Sequence, residues 1–257
     1  MKQLERKLDE LDSVENYPSK LYYEGNLELL ERVKVSIVGS RRTSKYSREQ
    51  THKLSSTLAK AGVCVVSGGA MGVDAVAHLG AGASNTIAVL PCGINIKYPA
   101  VNKNLLTDIQ NSGLLLSQFE KDAKARPWSF VVRNELVVAL GEVLVVAEAE
   151  LDSGSMRSIE FALKMGKEIF VFPHRLGESS ATNELLKEGK AEAIYDIDTF
   201  VSRFGTVKAI KVKQDSFLEF CGKTPTYEEA LSKYPERVFE AELNGDIEVR
   251  NGKVCIL

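Results

Sequence analysis

The segment Gly39-Ser40-Arg41-Arg42-Thr43-Ser44-Lys45-Tyr46-Ser47 sets two guanidinium groups beside a glycine and a run of hydroxyls. Three further segments share its character: Ser67-Gly68-Gly69-Ala70-Met71-Gly72-Val73-Asp74, Pro91-Cys92-Gly93 with Lys97-Tyr98-Pro99 after it, and Asp152-Ser153-Gly154-Ser155. The chemistry these residues suit is anion binding. Glycines let backbone N–H groups approach a phosphate, and a helix beginning there adds the positive end of its dipole. Ser40, Ser67, Ser153 and Ser155 can donate hydroxyl hydrogen bonds, while Arg41 and Arg42 can grip phosphate or a base edge with two N–H groups each. Further cations follow at Lys45, Arg48, Lys97, Lys103, Lys121, Lys124, Arg126 and Arg133, the last four interleaved with Trp128 and Phe130. Cations that track phosphates and rings that stack bases suit a single nucleic-acid strand. Taken as packing alone, the lysines are a solvated face and the two rings are core. Asp74 stands where a helix should start and reads first as its N-cap, with a catalytic base as the sharper alternative. Glu148 and Asp152 are the other candidate carboxylates, equally able to pair with arginines.

Several classes of function are disfavoured. The phosphate-loop pattern GxxxxGK[ST] and the dinucleotide pattern GxGxxG after the first apolar run are both absent, and Ser67 stands where an acid would hold an adenine ribose. Three separated histidines and four cysteines without CxxC spacing give no metal site, so no metal or other cofactor is expected. The charged start, MKQLERKLDELD, has no secretory core, and no apolar run approaches the roughly 18 residues of a membrane helix. A cytoplasmic protein without membrane insertion is therefore expected. Net charge is −2, so nucleic acid would have to be met by a local patch. Residues 214–257 carry 5 Lys/Arg against 9 Asp/Glu, a net of −4, which leaves +2 on the remainder.

The segments that must position these residues are legible as elements. Six short, nearly continuous apolar runs (33–39, 63–68, 86–91, 113–118, 142–149 and 168–173) have the look of strands buried on both faces of a parallel sheet. Helical patterns fall between or after them, over roughly 47–61, 74–82, 102–111, 128–140, 156–165 and 182–188, with a short edge strand near 193–196. This alternation predicts an α/β fold, a Rossmann-like wound, mostly parallel sheet. The division expected is a lead-in over 1–32 that packs Tyr17, Leu21, Tyr22 and Tyr23 on the sheet, a sheet domain over 33–204, a linker over 205–213, and a small domain over 214–257. The last has three helical candidates (215–221, 226–234 and 236–243) and a hairpin signal at Asn251-Gly252, the outline of a winged helix.

The runs VSIVGSRR, VVSGGAMGVDAVAH, LPCGINIKYP, FVVRNELVVAL and AELDSGSMRSIEFAL, with GKEIFVFPHR and TNELLKEGKA after them, resemble in sequence and order the DprA/Smf family of DNA-processing proteins. The resemblance covers about residues 17–200, is looser over the tail, and is nearest to the short form of Helicobacter-type bacteria. It implies an extended Rossmann fold, a homodimer, and a non-enzymatic protein that binds incoming single-stranded DNA during natural transformation, protects it and helps load the RecA recombinase. It implies a DNA site of Gly39, Ser40, Arg41 and Arg42, of Ser67, Gly68, Gly69 and Ala70, and of the stretch Arg126 to Arg133, with Phe130 stacking a base. Lys97, Lys124, Asn134, Ser153, Gly154 and Ser155 complete the candidate set. Two departures stand out. Glu135 replaces a frequent arginine after Arg133-Asn134, and Pro127 stands where close relatives carry a lysine, which Arg126 or Lys124 would replace. The acidic tail suggests a further protein partner in place of DNA. The rival reading is a Rossmann-like nucleotide-binding or nucleotide-hydrolysing enzyme, whose PGGxGTxxE-type motif is replaced here by SGGAMGVDAVAH.

Overall fold

A computed structural model describes residues 1–15, 17–206, 216–244, 247–250 and 252–256. Two short strands, β1 (Lys2–Gln3) and β2 (Tyr22–Gly25), precede six that coincide with the apolar runs. These are β3 (Lys34–Val38), β4 (Cys64–Ser67), β5 (Thr86–Val89), β6 (Leu114–Ser117), β7 (Val143–Val146) and β8 (Ile169–Val171), and β9 (Glu192–Ala193) follows. The nine form one sheet in the order β1-β2-β6-β5-β4-β3-β7-β8-β9. β3 to β9 run parallel, and β1 and β2 are the antiparallel members.

The strands lack polar alternation because both faces are covered. Val35 and Ile37 of β3 pack with α1 (Lys45–Lys60), α2 (Val73–Ala81) and α7 (Ile197–Ser202). Val38, with Cys64 and Val66 of β4 and Leu144 and Val146 of β7, joins a core closed by α4 (Pro127–Leu140), α5 (Ser155–Lys164) and α6 (Ser180–Lys187). α3 (Lys103–Ser112) covers β5 and β6 through Leu106 and Ile109. The helices α1 to α6 start and end within two residues of the ranges read from the sequence. Among the described residues no helix is long and apolar enough to cross a membrane.

The lead-in differs from the expectation of simple packing. It enters the sheet, with Tyr22 paired to Ser117 and Gly25 to Leu114. Leu21 and Tyr22 are buried, but Tyr17 is exposed and its hydroxyl accepts the Leu8 N–H at 2.8 Å.

The chain divides into two compact units, Met1–Lys208 and Ala209–Leu257. The second holds α8 (Ser216–Cys221), α9 (Tyr227–Lys233) and α10 (Pro235–Asn244), then an antiparallel hairpin of β10 (Ile247–Arg250) and β11 (Lys253–Ile256). Phe217, Cys221, Ala230, Val238, Ala241, Ile247 and Val254 form its core. Arg250 pairs with Lys253, which leaves two residues for the turn, and Gly252 has φ +72°. Asn251 and most of the expected linker lie outside the described residues.

Candidate nucleic-acid interface

From β3 the sheet first grows one way through β4, β5 and β6, and the chain then returns to place β7 on the other side of β3. The return is made by α4, which packs across β5, β4 and β3. Strand order therefore reverses between β3 and β7, and in open α/β sheets the crevice outside the strand ends at such a point is where ligands bind. Here it holds a cleft of about 650 Å³.

The Gly39–Arg42 loop forms one wall of this cleft. Its path is fixed by the Ser40 N–H donating to the Glu148 carbonyl at 2.8 Å and the Val73 N–H donating to the Ser40 carbonyl at 3.1 Å. Gly72 makes that approach feasible. Its φ is +77°, and a Cβ there would lie 2.2 Å from the Ser40 carbonyl oxygen. The Ser40 hydroxyl accepts the Arg42 N–H at 3.0 Å, turning the loop so that Arg41 and Arg42 emerge exposed at the cleft. The Arg41 guanidinium stands 5.3 Å from the centre of the Phe130 ring, a cation–π distance, and Tyr98 meets the same ring edge-on at 5.7 Å. An arginine, a half-buried phenylalanine and an exposed tyrosine thus share the mouth.

Beneath them lies a buried charge pair. Arg133 is 4% exposed and donates from Nη1 to the carbonyls of Gly68 and, at 3.1 Å, of Val89, and from Nε to Asn134 Oδ1 at 3.0 Å. Its nearest opposite charge is Asp74, whose carboxylate accepts the Ala70 N–H at 3.3 Å. Burial pushes the Asp74 carboxyl up, while the Arg133 charge and backbone N–H groups oppose that rise. Gly68 leaves room for both: a Cβ there would lie 2.0 Å from Arg133 Nη1 and 2.8 Å from Asp74 Oδ2, and the two charges act on each other through space beside it, without a direct hydrogen bond or ion pair. Asp74 is therefore not the N-cap of α2 expected from sequence. Gly72 holds that place, and Asp74 sits inside the first turn.

Anion-binding donors come from the opposite side. α5 begins at Ser155 without a side-chain cap, and α2 likewise lacks one. The Ser153 hydroxyl is buried with no partner among the described residues, and Ser153, Gly154 and Ser155 line the cleft. The start of α1 is already satisfied, contrary to what the arginine loop alone suggests. Ser44 caps it, and Glu148 accepts from the Ser44 N–H at 2.9 Å and the Ser44 hydroxyl at 2.7 Å. Burial alone would raise the Glu148 carboxyl, but hydrogen bonds from Ser47 and Ser44 outweigh it and hold the group low. Glu148 thus pairs with hydroxyls and a helix start, not with an arginine, and Asp152 is exposed.

Of the candidate residues, the cleft gathers Gly39, Ser40, Arg41, Arg42, Gly68, Ala70, Phe130, Arg133, Asn134, Ser153, Gly154 and Ser155. It does not gather Ser67, Gly69, Lys97, Lys124 or Arg126. The Ser67 hydroxyl is fully buried and donates to the Ile37 carbonyl at 2.7 Å. Gly69 is buried behind the loop. Lys97 is half-buried, with its ammonium donating to the Ile94 carbonyl at 2.7 Å. Lys124 and Arg126 are exposed outside the cleft. Sequence reasoning missed Arg157 as a lining residue, and held Tyr98 and Val131 only as members of the Lys97-Tyr98-Pro99 and Arg126–Arg133 segments, with no role of their own. For Tyr98 the signal was its place after the third parallel strand, and for Arg157 its place in the first turn of a helix opening at a glycine-serine loop.

Comparison with known proteins bears on this geometry. Residues 5–205 match the family model of DNA recombination-mediator protein A. The chain is 35% identical over 184 residues to the DNA processing protein DprA of Streptococcus pneumoniae, covering 70% of this chain and 65% of that one. It is also 35% identical over 179 residues to the protein Smf of Escherichia coli, covering 68% and 48%. The chain thus spans about half to two-thirds of the length of such relatives. Among solved structures it is similar to DNA processing protein A of Helicobacter pylori, studied for its single-stranded DNA binding mode. The TM-score is 0.77 at 42% identity, over 79% of this chain and 94% of that one. The X-ray structure of the Streptococcus pneumoniae protein gives 0.72 at 33%, over 78% and 71%.

Proposed function

The chain belongs to the DNA recombination-mediator protein A, or DprA/Smf, family, and from that premise we propose that its switch-point cleft binds single-stranded DNA without regard to sequence. One observation carries the reading: Arg41 stands over the half-buried Phe130 ring at a cleft mouth shared with the start of α5. A phosphate and a base can be engaged there together, and stacking on a ring is open to any base. Phosphate contacts dominate such affinity, and stacking adds roughly 1–3 kcal/mol per base. On the same reading the protein is non-enzymatic and cytoplasmic. It acts as a homodimer that protects incoming DNA during natural transformation and helps load RecA.

The test is fluorescence anisotropy with a labelled dT oligonucleotide. Arg41→Ala is expected to weaken binding roughly tenfold to a hundredfold, the worth of one charge-assisted contact. The slope of log affinity against log salt should become shallower by about 0.7 for each phosphate that is no longer neutralised. Lys45→Ala should change little, because Lys45 is exposed on α1 with Glu49 3.7 Å away. Equal losses in both variants would contradict the cleft geometry. ATP that displaces the oligonucleotide would favour the nucleotide-enzyme reading and make Asp74 the next residue to change.

The acidic tail has a separate role in this account, contact with a further protein partner. Deleting 214–257 is expected to leave dT affinity within about twofold, since a segment of net −4 adds no phosphate contacts. A large loss of affinity on deletion would show that the tail binds DNA.

A further inference from the structure

Trp128 is the only tryptophan in the chain and the second residue of α4, and it is 54% exposed. Its neighbours Pro127 and Val131 line the cleft, whereas the indole does not. On a helix each residue turns by about 100°, so Trp128 faces outward round the rim. The ring is nevertheless held. Phe119 meets it edge-on with centroids 5.6 Å apart. The Phe119 N–H donates to the Ser117 hydroxyl at 3.0 Å, and the loop beyond is fastened where the Gly93 N–H reaches the Ala123 carbonyl at 2.9 Å. An indole braced by one ring and otherwise open to water contributes little to the core and leaves apolar surface exposed for a further ring.

Its surroundings are cationic in effect. Lys121, Lys124 and Arg126 are all exposed, and none has an ion-pair partner among the described residues. Of the two acids in the same loop, Glu120 is neutralised by Lys20 at 3.0 Å and accepts from the Tyr22 hydroxyl at 2.6 Å, while Asp122 accepts from the neutral Asn95 amide at 3.3 Å and keeps its charge, so three cations face one free acid. An exposed ring braced by Phe119, with Lys121, Lys124 and Arg126 in the segment that leads into its helix and Pro127 beside it lining the cleft, has the features of a stacking platform on a single-strand track.

We infer that Trp128 stacks the base of the nucleotide lying next to those held in the cleft, with Lys124 and Arg126 meeting the adjoining phosphates. The inference rests on the DNA-binding reading above and adds a subsite outside the cleft. It also gives Lys124 and Arg126, which the cleft leaves out, a place on the strand's path.

The test uses the full chain with two dT oligonucleotides, one short enough to lie within the cleft and one long enough to overrun it. Because Trp128 is the sole tryptophan, its emission reports on stacking directly. The long oligonucleotide should quench it and the short one should not. Trp128→Ala should bind the long oligonucleotide about tenfold more weakly and the short one as the wild type does, while Trp128→Phe should recover much of the loss. Arg41→Ala should weaken both lengths. If Trp128→Ala binds the long oligonucleotide normally and emission is unchanged, while Arg41→Ala is impaired, the platform is overturned and the cleft reading stands. If Arg41→Ala binds both lengths normally, the cleft reading falls and the platform falls with it.

Discussion

Replacing Asp74 by alanine is expected to destabilise the protein by about 3 kcal/mol, the lower end of the range for breaking a buried charge pair. Arg133 cannot shed its proton, and it is enclosed by the loop of Gly68, by β5 and by its own helix. Without Asp74 its charge has no opposite partner at the cleft floor, although the carbonyls of Gly68 and Val89 still accept from it. The two make no direct hydrogen bond or ion pair and interact through space beside Gly68, which places the expected cost at the low end. Urea unfolding of Asp74→Ala, Arg133→Met and the double variant measures this. The double variant should be more stable than the sum of the single losses predicts, by at least about 1 kcal/mol of coupling. A single variant within about 0.5 kcal/mol of wild type would mean the two charges do not support each other. DNA binding gives a second readout with an informative sign. Removing an acid from a phosphate site should strengthen binding if Asp74 acts only through its charge. We expect binding to weaken, because Asp74 holds the Ala70 N–H and balances the Arg133 charge, which stands 6.0 Å from the Phe130 ring centre.

That pair shows where the sequence is legible and where it is not. The six parallel strands can be read because strands buried on both faces lose polar alternation, and β3 is buried at every residue. The cleft loops can be read because strand ends in a parallel sheet point one way, so Gly39–Arg42, Gly68 and Ser153–Ser155 have to share an edge. What cannot be read is the direction of individual side chains within those loops. Arg133 and Arg41 look alike in a sequence, yet one is enclosed as a structural cation and the other is exposed over Phe130. Trp128 and Phe130 lie two residues apart on α4, and helical rotation sends one out of the cleft and the other into it. β1, at the edge, and β2, between it and β6, leave no pattern of their own, because strands of two and four residues are specified by the strand they join. In sequence Gly68 and Gly72 read as phosphate-approach glycines. Their observed role is to let Arg133, Asp74 and the Ser40 carbonyl come close.

Stability is expected to fall by on the order of 2 kcal/mol between about pH 7.5 and about pH 5, and His78 is the cause. His78 lies on α2, one turn beyond Asp74, and is fully buried. Its Nδ1 lies 2.7 Å from the Thr86 hydroxyl, whose own proton goes to the Val65 carbonyl at 2.7 Å. The Thr86 oxygen must therefore accept, so Nδ1 carries the proton and Nε2 is a bare lone pair with no partner among the described residues. Charging the ring would bury a cation and leave a new N–H unsatisfied. Burial, reinforced by the Arg133 charge, pushes the imidazole down from 6.5 to about 3. The sign follows from which state binds the proton. In the unfolded chain the imidazole protonates below about 6.5, whereas the folded protein resists until about 3, so stability is complete above the first value and is lost as pH falls towards the second. Working above about pH 5 keeps ordinary carboxylate titration, centred near 4, out of the measurement. Asp74, whose carboxyl burial pushes up, acts with the opposite sign, since the folded state takes up its proton first, and Asp74→Asn in the His78→Leu background separates the two. Urea unfolding across this window should show the loss in wild type, while His78→Leu, which removes the titrating ring and its orphaned nitrogen, should give a nearly flat profile. If the wild type is equally stable at both ends, or the leucine variant keeps the slope, the acid sensitivity does not come from α2, and the buried polar contact with Thr86 serves packing alone.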